Sequence, residues 1–210
     1  MQVELNGILY DVEIIKKNNK NTYVRVKDGK IVVTTNYFVS KNEIIKFIKN
    51  NQDSIIKMIS KDNNKKEKKD NFYYFGNKYD VVYGFNDIEI TNDKIFVKDK
   101  KTLDKYINND IYNIFSNRLN YFYNLFEEKI PVPNLKIRKM TSRWGVCNIK
   151  NKNVTLNLEL SKYNIEALDY VIVHELSHFV HHNHSKDFWL LVAKYYPKYK
   201  EVRKYLKDNG

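Results

Sequence analysis

All five histidines of this chain, His174, His178, His181, His182 and His184, fall within one window of eleven residues. The first two frame His174-Glu175-Leu176-Ser177-His178, the pattern H-E-x-x-H. Imidazoles four residues apart on an α-helix stand one above the other on the same face, so both can reach a single tetrahedral Zn²⁺ with the glutamate alongside. A third ligand has to come from beyond the helix, because a further helical residue rises past the metal. His184, ten residues after His174, is the natural choice, at the interval of the H-E-x-x-H-x-x-G-x-x-H enzymes. His181 stands where those enzymes place a turn glycine, and Asn183 is the residue suited to a left-handed turn in its stead. His181 itself, or an acidic residue such as Glu159, is the alternative third ligand, and His182 is expected to face solvent. Three neutral ligands leave a fourth position for water, which Zn²⁺ acidifies to a pKa of about 7 while Glu175 accepts the proton as general base. A structural zinc site would instead use four protein ligands, commonly cysteines, and has no need of a glutamate inside the helix.

Two neighbouring features are read either way. Arg143 either stabilises a developing oxyanion or holds a substrate carboxylate or phosphate, or it simply bonds backbone carbonyls in a tight turn with Trp144 packed beside it. Cys147 reads as a small buried residue rather than a thiolate ligand, since three histidines already complete the site.

The ligand helix is expected independently of the motif. Asn164 or Ser161 can cap a helix running to about His181, with Leu168, Val171, Ile172, Leu176 and Phe179 inward and Tyr170, His174, His178 and His181 on another face. Before it, Val154 to Leu160 alternates strictly and reads as a half-buried strand. From Thr102 to Lys129, apolar residues recur every three or four positions as a long amphipathic helix, ended by Pro131 and Pro133. Upstream, strands are expected at Leu9 to Ile15, Thr22 to Val26 and Lys30 to Thr35, the last two joined by the hairpin signal Asp28-Gly29. An isoleucine-rich helix follows from a capping box at Ser40 and Glu43 to about Ser60. The charged run 61–70 reads as a linker or exposed loop, and Phe72 to Phe75, Lys78 to Tyr83, Asp87 to Ile90 and Lys94 to Val97 as four short strands. The fold class expected is α+β: an N-terminal antiparallel β-rich region with a helix over 1–98, then a mixed α/β metal-dependent hydrolase domain over 102–210 that carries the H-E-x-x-H helix.

The 210 residues suffice for a sizeable core, one cysteine excludes an intrachain disulfide framework, and no stretch approaches the roughly 18 uncharged apolar residues of a membrane span. The first residues lack the basic and apolar regions of a signal peptide, so a cytoplasmic protein with no membrane partner is expected. The net charge of +12 invites a nucleic-acid hypothesis, but the lysines are scattered and no binding motif accompanies them.

Taken in order, Ser142 to Cys147, Val154 to Leu160, His174 to His178 and Asn183 to Trp189 resemble the motif set of the YgjP-like metallopeptidase-type domains. A weaker similarity, including Phe75 to Tyr79, extends over most of the chain. The resemblance implies a zincin-like core with His174, His178 and His184 as metal ligands and Glu175 as catalytic acid and base. Val146 stands where the family usually has serine, and the residues near Asp53 and Ser54 lack its usual tryptophan, departures that bear on local packing.

Three functions follow from these residues. The first is a zinc-dependent peptidase in which the strand Val154 to Leu160 accepts an extended polypeptide as an added strand. The second turns the same site on a nucleoside triphosphate as a pyrophosphohydrolase, with basic side chains holding the polyphosphate. The third is a non-catalytic, nucleic-acid-associated protein whose zinc staples the fold. Cations converging on the metal favour phosphate; an apolar groove beside an exposed strand favours peptide.

Overall fold

The computed structural model describes residues 1–209, with side chains for all of these but residues 65 and 68–70. Contacts divide the chain into two compact units, Met1–Asp70 with the C-terminal tip from Asp208, and Asn71–Lys207. No helix among the described residues is long and apolar enough to cross a membrane.

In the smaller unit, β1 (Gln2–Leu5), β2 (Ile8–Lys16), β3 (Tyr23–Lys27) and β4 (Lys30–Thr35) form a sheet in the order β1-β2-β4-β3. It consists of two antiparallel hairpins joined by a parallel pairing of β2 with β4. Asp28 and Gly29 both have positive φ, 52° and 75°, the backbone that lets a two-residue turn follow the strand twist. Helix α1 (Lys41–Asn50) opens on the expected capping box, Ser40 Oγ accepting from the Glu43 N–H while the Glu43 carboxylate accepts from the Ser40 N–H. Ile44, Ile48, Ile55 and Ile59 bury against Val3, Leu5, Val12, Ile31 and Val33 of the sheet.

The isoleucine-rich segment is two helices rather than one. Asn51 leaves helical geometry at φ −113°, and α2 (Gln52–Asp70) follows. The charged run 61–70, expected as a linker, is the continuation of α2. Lysine and glutamate lose little rotamer freedom in a helix, and neither glycine nor proline interrupts them. The Asp62 carboxylate also accepts from the Gly29 N–H at 2.9 Å, tying the helix to the hairpin.

The larger unit contains β5 (Phe72–Tyr74), β6 (Asn77–Tyr83), β7 (Glu89–Ile90) and β8 (Lys94–Val97), in the order β5-β6-β8-β7. A three-stranded sheet, β10-β11-β9, is formed by β9 (Asn134–Arg138), β10 (Gly145–Asn148) and β11 (Asn153–Asn157). Around them lie α3 (Lys100–Leu125), a 3₁₀ turn (Leu158–Lys162), α4 (Ile165–Ser177), α5 (Lys186–Tyr195) and α6 (Tyr199–Asn209). The contact boundary at residue 70 therefore differs from the expected division at 98–102. The reason is burial: Tyr74, Ile95 and Val97 share one core with Leu103, Ile107, Ile111 and Phe115 of α3 and with Leu168 and Ile172 of α4. At the β5–β6 turn, a Cβ on Gly76 (φ +85°) would lie 3.2 Å from the Asn164 backbone, so this turn presses on the start of α4. Asn164 occupies the N-cap position, without a capping bond from its side chain.

The strand expected over Val154 to Leu160 stops at Asn157. Its side-chain amide donates to the Met140 and Arg143 carbonyls, both at 2.9 Å, and its carbonyl oxygen accepts from the Met140 and Glu159 N–H groups. One buried side chain thereby ends β11, starts the 3₁₀ turn and ties down the loop leading to β10.

Candidate metal centre

Helix α4 is apolar on most sides, with Leu168, Val171, Ile172, Val173 and Leu176 buried, which fixes its rotation. A bidentate ion pair, Arg118 of α3 to Asp169 at 2.7 Å for both bonds, anchors it as well. His174 and His178 then emerge on one face. The helix ends at Ser177 rather than His181, with His178 as its cap residue and the turn closed by Val180 N to Ser177 O at 3.1 Å. Among the described non-glycine residues, positive φ occurs at Asn6, Asp28, Phe75 and Lys152, so Asn183 does not turn the chain by a left-handed conformation. Its side-chain oxygen instead accepts from the Ser185 N–H at 3.2 Å, and Ser185 caps α5. This short return carries His184 back to the helix.

His174, His178 and His184 bring one nitrogen each within 4.8 Å of one another, the His174 and His184 Nε2 atoms standing 3.1 Å apart. Tetrahedral coordination at about 2.0–2.1 Å spaces nitrogen ligands by about 3.3 Å, so the donor set fits a zinc-sized cation. Two nitrogen lone pairs that close repel unless a proton or a cation lies between them. His178 Nδ1 lies 3.2 Å from the His181 carbonyl; a proton shared there leaves the Nε2 lone pair free to bind a metal. His174 Nδ1 is buried without a partner. Burial, helped by the other two imidazoles, lowers the His174 pKa to about 3, and burial lowers that of His178 too, so both are neutral and ready to bind.

Glu175, only 5% exposed, faces the same cleft. Burial pushes its carboxyl up to about 8, against the opposing pull of the Cys147 backbone N–H and the Arg143 charge. A Cβ on Gly145 would fall 2.5 Å from Glu175 Oε1 and 2.7 Å from its Cγ, so only glycine fits there. Sequence reasoning left Arg143-Trp144-Gly145 open between two readings and missed this cradle, because the close approach of Glu175 to Gly145, at the start of β10, comes from an element 30 residues away in sequence. Trp144 packs edge-on against Tyr163 at 5.1 Å, the Arg143 carbonyl bonds Asn157, and the exposed Arg143 side chain lines the cleft. Cys147 is half-buried, its thiol pushed up to about 12 by burial and by Glu175, so it is protonated. The cleft, about 490 Å³, is also bordered by Val146, Ile149 and His182. His182 holds its Nδ1 3.2 Å from the His178 carbonyl. Glu159, the acidic alternative for third ligand, is instead paired with Lys162 at 2.8 Å and Lys139 at 3.4 Å.

None of the curated proteins matches the chain. Among solved structures, the metallopeptidase zymogen of Pyrococcus abyssi abylysin is similar at 24% identity, covering 44% of this chain and 90% of that one, with a TM-score of 0.40. The metallopeptidase zymogen of Methanocaldococcus jannaschii jannalysin is similar at 26% identity, covering 46% and 92%, with a TM-score of 0.36. The family model for the YgjP-like metallopeptidase domain matches residues 20–209, nearly the whole chain, and the chain belongs to that family.

Proposed function

We propose that this protein is a zinc-dependent peptidase, with His174, His178 and His184 holding the metal and Glu175 as general base. The observation that carries the reading is the convergence of three imidazoles beside a glutamate that Gly145 admits to a buried position. Zn²⁺ bound there would supply Lewis acidity, bringing the pKa of a water to about 7 and polarising the scissile carbonyl. The charge of Zn²⁺ bound there would return the buried Glu175 carboxyl to its ionised form, in which Glu175 accepts the proton of the attacking water and passes it to the departing amide nitrogen. Arg143 offers a permanent positive charge to the charge that develops on the carbonyl oxygen. A metal that only stapled the fold would leave the burial of Glu175 an uncompensated cost.

The strand expected to receive substrate, Val154 to Leu160, cannot do so, because β11 is the central strand and both its edges are paired. Of the two edge strands, β10 and β9, it is β10 that borders the cleft, with Val146 and Cys147. An extended polypeptide added to β10 places its backbone across the face of Glu175. Among the described residues this cleft has one lysine or arginine, Arg143, beside the apolar Val146 and Ile149, which favours peptide over polyphosphate.

The test offers zinc-loaded protein an unfolded polypeptide and a mixture of nucleoside triphosphates together, with products read by mass spectrometry. New peptide termini are expected. Monophosphate and pyrophosphate in their place would overturn the reading.

A further inference from the structure

A second cleft, about 610 Å³, lies next to the metal centre and plays no part in the chemistry above. Trp144 and Tyr170 form part of its wall, and α6 supplies Lys200, Arg203, Lys204 and Lys207. These four cations follow the spacing i, i+3, i+4, i+7, so they share one face of the helix, and among the described residues no acidic one lines the cleft. Like charges one turn apart weaken a helix. Lys200, Arg203 and Lys204 form no salt bridge among the described residues that would relieve this.

The cleft is coupled to the site by shared side chains. Arg203 lies over the Trp189 ring, 4.7 Å from its centroid, and Trp189 stacks on His184 at 5.6 Å and on Tyr199 at 5.4 Å. That stack holds the guanidinium in place instead of leaving it free in solvent. Tyr170 stands one helical turn before His174, with the two rings 5.9 Å apart. Arg143, Trp144 and Gly145, successive in sequence, border the metal cleft, the basic cleft and the metal cleft in turn.

We propose that the basic cleft binds an acidic segment of the polypeptide substrate, next to the bond presented to Glu175; this rests on the peptidase reading. A concave site with aromatic walls focuses the field of its cations more strongly than a solvated helix face. The stripe spans about 10 Å, from seven steps of about 1.5 Å. An extended chain rises about 3.3 Å per residue and so sets alternate carboxylates about 6.6 Å apart, near the spacing of cations on successive helical turns. The cleft also has the volume for two or three side chains, whose stems can pack on Trp144 and Tyr170.

The experiment measures binding without turnover. Zinc-loaded Glu175→Gln protein is titrated with a hexapeptide bearing glutamate at alternate positions, and with its glutamine counterpart, at low and high salt. The acidic peptide is expected to bind about tenfold more tightly at low salt, the effect of a few screened charge contacts, with the margin shrinking as salt rises. Arg203→Ala/Lys204→Ala should abolish that margin and leave both the affinity for the glutamine peptide and the zinc content unchanged. Because Arg203 also packs on Trp189, Lys200→Gln/Lys204→Gln is tested separately and should shrink the margin too. Equal binding of the two peptides, a margin that survives in both variants, or displacement of the acidic peptide by an equimolar nucleoside triphosphate or oligonucleotide would overturn the proposal. If the wild-type protein cleaved no polypeptide while the margin and its loss were observed, the peptidase reading would fail and the acidic-segment site would stand.

Discussion

Glu175 sits where it does because position 145 has no side chain. Gly145→Ala should therefore force the carboxylate out of its cradle without touching a histidine. The expected outcome is unchanged zinc content with kcat reduced by about a hundredfold or more, the scale of a lost general base; metal analysis alongside peptide turnover checks it. The histidines make a different prediction, about pH. In the metal-free protein, burial holds His174 at about 3 against 6.5 for the free side chain and also lowers His178. Between those values the unfolded chain binds more protons than the folded one, so stability falls as pH drops below about 6.5 and is flat in this respect above it. The buried Glu175 carboxyl, raised to about 8, contributes the opposite slope over this range, so the histidine contribution is read as a difference: from pH 7.5 to 5 the urea midpoint of the metal-free protein should fall less, or rise more, in His174→Leu than in the wild type. An identical slope in the variant would show that these imidazoles do not carry it.

At the scale of elements, the features legible in the sequence were those with local causes. Ser40 and Glu43 announce the start of α1, Asp28-Gly29 the β3–β4 turn, and H-E-x-x-H with a nearly all-apolar helix the pair of histidines on one face of α4. The errors arose where a distant group intervenes. Leu158 and Leu160 continue an alternation, but the chain leaves strand geometry because the Asn157 side chain bonds the loop at Met140 and Arg143, more than ten residues away. The segment 61–70 was misread because charge alone does not distinguish a linker from an exposed helix. Asn183 was cast as a left-handed hinge when two side-chain bonds, from Asn183 and Ser185, do the turning. Asn157→Ala leaves several part-buried main-chain groups unpaired and should cost about 2 kcal/mol, with a loss of activity as the strand carrying Gly145 loosens. Denaturation midpoints and turnover measured together check this, and a variant as stable as wild type would contradict it.

On the scale of the whole molecule, every residue placed in the centre, His174, His178, His184, Glu175, Gly145 and Arg143, belongs to the unit Asn71–Lys207. The core that supports them, from Tyr74 and Val97 through α3 to Phe188 and Leu206, lies in that unit as well. A chain beginning at Asn71 is therefore expected to fold and bind one zinc per molecule, with a melting temperature that rises with zinc concentration, since the metal binds the folded state. A fragment that stays unfolded in the presence of zinc would contradict this. Domain assignment was the weakest part of the sequence reading, because strands at 72–97 look alike whichever core they join. Contacts with α3, remote in sequence from β5, decide it.

The most direct measurement is peptide-bond cleavage by Glu175→Gln at full zinc occupancy, compared with the wild type. The substitution keeps the shape of the side chain and removes its ability to accept a proton. One zinc per chain in both proteins, with cleavage reduced by about 10²- to 10⁴-fold in the variant, is predicted. Cleavage at the wild-type rate by the zinc-loaded variant would contradict the assignment of Glu175 as general base and, with it, the proposed centre.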